Sequence, residues 1–164
     1  MWGFGGGYGR AVIRPLLAVV PGVLLAVTAC APGTPDEDSW RVDALRAVGD
    51  VSSSVGTMRL ALEHRGDLFH PYLEAVAVRS EDSASASAQK LSSRQPPDAY
   101  LSRYETVTDA LDAANSLLSD VRIAVVRRHP QAYADLLSQL GRTDHRLSTL
   151  EDDLRALPDD RSVP

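Results

Sequence analysis

The chain has 164 residues, 17 basic and 22 acidic, with a net charge of −5. That is the length of one domain, and the acidic balance argues against a nucleic-acid partner and against a polybasic membrane patch. A single cysteine excludes an intrachain disulfide and a cysteine-rich zinc site, and with 5% aromatic residues a core must be built from Ala, Leu and Val.

The first 29 residues have the composition of a targeting segment. Arg10 and Arg14 supply positive charge and no acid precedes Asp36. From Pro15 to Ala29 the chain is apolar apart from Thr28, with Pro21-Gly22 in the middle. A helix of that length rises about 22 Å, short of the roughly 30 Å hydrocarbon core of a bilayer. A cleaved signal peptide therefore fits better than a spanning helix.

The run ends Val27-Thr28-Ala29-Cys30. This resembles the lipobox of bacterial lipoproteins: an aliphatic residue, a small or β-branched residue, a small residue, then cysteine. The resemblance covers the leader alone. It implies a diacylglycerol thioether on Cys30, cleavage just before it, and anchoring on the extracytoplasmic face of the cell membrane. Two acyl chains hold a protein on a bilayer where one does not. Such a mature chain keeps all 22 acids and loses two arginines, so anionic headgroups repel the body. Residues 30–38 carry Pro, Gly and acid without apolar period and are expected to form a tether.

Residues 39–158 are expected to form an all-α domain, an up-down bundle of about four helices at 38–64, 68–90, 97–128 and 130–157. In the first, Val48, Val51, Val55, Met58 and Leu62 step by three and four along one stripe, and Gly66 is the expected C-terminal cap. The second opens around Pro71, a residue tolerated in a first helical turn. Its stripe of Leu68, Tyr72 and Val76 fades into Ser and Ala, which leaves a small-residue face or a frayed end as alternatives. Ser92 to Pro97 make the clearest break. The third shows Tyr104, Val107, Leu111, Ala114, Leu118, Val121 and Val125, and the fourth Tyr133, Leu136, Leu140, Leu147, Leu150, Leu154 and Leu157. Pro158 stops it, and 159–164 form an acidic tail. Short turns predict antiparallel neighbours. A monomer with Ala77, Ala84 and Ala88 in the core is slightly preferred over a homodimer sharing the third and fourth helices.

The chain's histidines fall at His64, His70, His129 and His145. An up-down path brings the turns that carry His64, His70 and His129 to one end, beside Glu63 and Asp67. Imidazole with carboxylate suits zinc, copper or iron, so a metal- or haem-binding bundle is the alternative function. The second Glu-x-x-His of carboxylate-bridged bundles is missing, and histidines at turns more often face water. Ser87-Ala-Gln-Lys90 matches the Ser-x-x-Lys pattern of penicillin-recognising enzymes, without the companion motifs. Arg127-Arg128 complement a helix C-terminus without needing a ligand, and Tyr100 and Tyr104 read as core packing. No nucleophile–base set is present. The expectation is therefore a non-enzymatic binding or scaffolding module without cofactor, contacting the membrane through Cys30 and an envelope protein or small ligand by its helices.

Overall fold

A computed structural model describes residues 37–157. The leader, Cys30, most of the tether and the tail 159–164 lie outside them. Four helices follow in order: α1 Glu37–Glu63, α2 His70–Ser92, α3 Leu101–Val126 and α4 Tyr133–Arg155. Short 3-10 turns at Asp98–Tyr100 and Pro130–Ala132 lead into α3 and α4. Glu37 and Asp38 already belong to α1, so the helix takes the last two residues of the expected tether. None of the described helices is long and apolar enough to cross a membrane.

α1 runs antiparallel to α2 and to α4, as two side-chain pairs along each of those seams establish. On the α1–α2 seam Ser87 Oγ donates to Asp50 Oδ2 at 3.2 Å, and Arg94 Nε reaches Asp43 Oδ2 at 3.3 Å. On the α1–α4 seam Arg41 Nη1 donates to the Leu157 carbonyl at 2.8 Å, while Arg59 Nη1 lies 3.5 Å from Asp144 Oδ2. Arg122 pairs with Glu81 between α3 and α2. The helices thus form a ring in chain order, with α4 closing against α1 and α3 touching α1 across the middle.

The expected stripes of α1, α3 and α4 are the core. Val48, Val51, Val55, Met58 and Leu62 are buried, as are Val107, Leu111, Ala114, Leu118, Val121 and Val125, and Tyr133, Leu136, Leu140, Leu147 and Leu154. Tyr104 and Leu150 are half-buried against it.

Two expectations need correction. The buried face of α2 is Leu73, Ala77, Ser80, Ala84, Ala88 and Leu91, with the expected Ala77, Ala84 and Ala88 in the core; of the expected Leu68-Tyr72-Val76 stripe, Leu68 and Val76 are half-buried against the core and Tyr72 is not. Tyr72 is 58% exposed. The helix runs unbroken through the Ser/Ala stretch, so the frayed end is excluded. Large residues misled the pattern because this face is built of small ones, and a small face permits close approach of neighbouring helices. Gly66 does not hold a left-handed cap, since its φ lies outside that region. The left-handed residue is Arg128, with φ 52°.

Candidate functional site

The α1–α2 and α3–α4 turns lie at the same end of the bundle, the end remote from Glu37. At 1.5 Å per residue the 27 residues of α1 place that end about 40 Å from the helix start. It carries His64, His70 and His129, as the topology required, but the three are not gathered. His64 Nδ1 lies 3.8 Å from Asp67 Oδ2, and His70 Nε2 lies 2.9 Å from Glu74 Oε1 without the alignment of a hydrogen bond. His129 is exposed on the next turn. Among the described residues no group of three or more His, Cys, Asp or Glu is arranged to hold a metal ion.

The α3–α4 turn is a Schellman cap. The His129 N–H donates to the Ala124 carbonyl at 2.9 Å and the Arg128 N–H to the Val125 carbonyl at 3.0 Å. The residue bearing positive φ in this motif is usually glycine, because a Cβ costs roughly 1–2 kcal/mol there. Arg128 occupies it instead. Arg127 and Arg128 are both exposed, and among the described residues neither guanidinium has an ion-pair or hydrogen-bond partner. Arg65 joins them from the other turn. Its guanidinium lies 5.7 Å from the Tyr133 ring centroid, a cation–π contact, and its Nη1 donates to the Leu62 carbonyl at 3.0 Å.

Phe69 is the second residue placed against local preference. It is the N-cap of α2, with no side-chain cap bond, and its ring is 86% exposed. Ser, Thr, Asp or Asn at an N-cap would satisfy a free helix N–H. The acids at this end each have a polar neighbour: Glu63 lies 3.8 Å from Arg59, Asp67 3.8 Å from His64 and Glu74 2.9 Å from His70, and Asp135 accepts a hydrogen bond from Gln139 Nε2 at 2.7 Å.

Elsewhere, an open cleft of about 480 Å³ lies between α3 and α4. Val107, Leu150, Leu154 and Leu157 supply its apolar lining and Arg103 and Asp153 its charges. Ser87 and Lys90 do not assemble a nucleophile: the serine hydroxyl is bonded to Asp50 and the lysine is exposed.

The chain matches no protein-family model, no curated protein and no solved structure. The reading of its function rests on its own residues.

Proposed function

We propose that the protein is a lipoprotein anchored on the extracytoplasmic face of the cell membrane, where its helical bundle serves as a non-enzymatic binding or scaffolding module of the envelope. The observation that carries this reading is the sequence Val27-Thr28-Ala29-Cys30, which closes a charged-then-apolar leader with the only cysteine of the chain. Two acyl chains on Cys30 supply the membrane attachment. The residues that follow, Ala31 to Asp36, include two prolines and a glycine and give reach without apolar surface.

The bundle's role on this reading is binding. Among the described residues the buried polar side chains are Ser54 and Ser80, and the Ser54 hydroxyl donates to the Asp50 carbonyl. A buried Ala face on α2 favours a monomer, because the small helix covers its share of the core. The partner is an envelope protein or a small ligand, with no nucleic acid. Fractionating cells that express the full chain tests the reading. The wild type is expected in the membrane fraction and Cys30→Ala in the soluble fraction; a Cys30→Ala protein still in the membrane would overturn it.

A further inference from the structure

We propose that the groove between α1 and α2, floored by Ser54 and Ser80, is a binding site for a neutral oligosaccharide. Such a site gives the binding role its ligand class and rests on that reading; it needs the fold and not the lipid anchor.

The groove is open, about 350 Å³ in volume, at the lower end of the range of small-molecule sites. α1 contributes the hydroxyls of Ser53, Ser54 and Thr57 to its lining, and α2 those of Ser80 and Ser83. Ser54 and Ser80 are buried and form the floor, while Tyr72 lines the groove with its side chain exposed. Val76 is the one aliphatic residue in the lining.

Ser80 is the residue that points to an occupant. It is 4% exposed, it lines the groove, and its hydroxyl makes no hydrogen bond among the described residues. A helical serine or threonine commonly turns its hydroxyl back to the carbonyl four residues earlier. Ser54, Thr106, Thr108 and Thr149 all do so in this bundle, donating to the carbonyls of Asp50, Ser102, Tyr104 and His145. Ser80 does not. A buried hydroxyl without a partner costs stability. Alanine fills the neighbouring positions of the same face at Ala77, Ala84 and Ala88, so packing alone does not call for a serine. The groove is the opening through which a ligand reaches this hydroxyl.

The charges in the groove select the class of ligand. Asp50 and Arg79 both line it, and Arg79 has no ion-pair or hydrogen-bond partner among the described residues. A bare anion is repelled by Asp50 and a bare cation by Arg79, whereas a neutral ligand meets neither penalty. Each hydroxyl of the lining both donates and accepts, so the matching ligand carries groups that do the same. A run of sugar hydroxyls is such a ligand. Asp50 then accepts from it and Arg79 donates to it, in the stronger, charge-assisted form. The exposed ring of Tyr72 offers a flat apolar surface for the C–H face of a sugar. An extended peptide also donates and accepts, but it is recognised through pockets for its side chains, and Val76 alone supplies an aliphatic wall. About 16 Å of α2 separates Tyr72 from Ser83, which suits a short chain of sugars over a single ring.

The test is ligand-observed NMR on the full-length chain in neutral detergent. Linear trisaccharides of glucose, mannose, galactose and N-acetylglucosamine are titrated, with inorganic phosphate and a Gly-Ser peptide for comparison. At least one trisaccharide is expected to bind, and phosphate and the peptide are not. Ser80→Ala should weaken that binding about fivefold and yet raise the melting temperature of the free protein, because it removes a hydroxyl that the fold leaves unpaired. Tyr72→Ala should weaken binding by a similar factor. Ser116→Ala, at an exposed serine of α3, should leave it unchanged. No trisaccharide binding, binding that survives both Ser80→Ala and Tyr72→Ala, or tighter binding of phosphate or the peptide would overturn the proposal. Membrane attachment through Cys30 is read separately by fractionation, so failure of the anchor and failure of the groove are distinguishable.

Discussion

Trp40 stacks on Tyr100, with ring centroids 5.2 Å apart and planes 20° from parallel. The contact ties the start of α1 to the 3-10 turn that leads into α3, and it closes that end of the core. Trp40 is 3% exposed, and its indole Nε1 finds no hydrogen-bond partner among the described residues. Its value to the fold is therefore packing. Trp40→Ala should cost about 3–5 kcal/mol of unfolding free energy. Trp40→Phe should cost clearly less than Trp40→Ala, because a ring remains to stack on Tyr100 and no hydrogen bond is lost with the indole N–H. Urea denaturation of both variants checks the contrast; equal losses would mean the indole N–H is engaged.

Arg128→Gly should stabilise the protein by about 1 kcal/mol, since glycine takes the left-handed cap without a Cβ penalty. Arg128→Ala should bring no such gain, because alanine keeps the Cβ. Thermal melts of the two variants separate the backbone effect from the loss of charge.

The close-packed face of α2 makes its own prediction. Ala84 is fully buried, so Ala84→Leu overfills the space and should cost about 1–3 kcal/mol. Ala86 is exposed two residues on, and Ala86→Leu should change stability by less than about 0.5 kcal/mol. Equal effects at the two sites would mean that α2 does not present this face to the core.

Leu118 and Leu140 bury the hearts of α3 and α4. Changing either to Asp places an unpaired charge in the core and should cost several kcal/mol, on the order of 4 or more. Retention of cooperative unfolding at an unchanged midpoint in both variants would contradict the bundle.

Three of the four helices were legible in the sequence because their cores are drawn by large residues at steps of three and four. Val48 to Leu62, Val107 to Val125 and Tyr133 to Leu154 needed no tertiary information. On α2 the large residues gave only the edge of the buried face: Leu68 and Val76 are half-buried and Tyr72 is exposed, while Leu73, Ser80 and the expected Ala77 and Ala84 are buried. Small residues carry little periodic signal, and their burial is decided by the neighbours that approach them. The candidate surface was half legible. Arg127 and Arg128 were visible as a pair, but that they lack partners among the described residues, and that Arg128 bears a left-handed cap at the end of α3, depends on how the turn closes. The histidines shared an end as the topology required, yet His64 and His70 each turned to a carboxylate of their own.

The most direct test of the central claim is the mass of the N-terminal peptide of the protein purified from its membrane. Our account requires that peptide to begin at Cys30 and to carry the mass of a diacylglycerol thioether. A peptide that begins upstream of Cys30, or an unmodified Cys30, would contradict it.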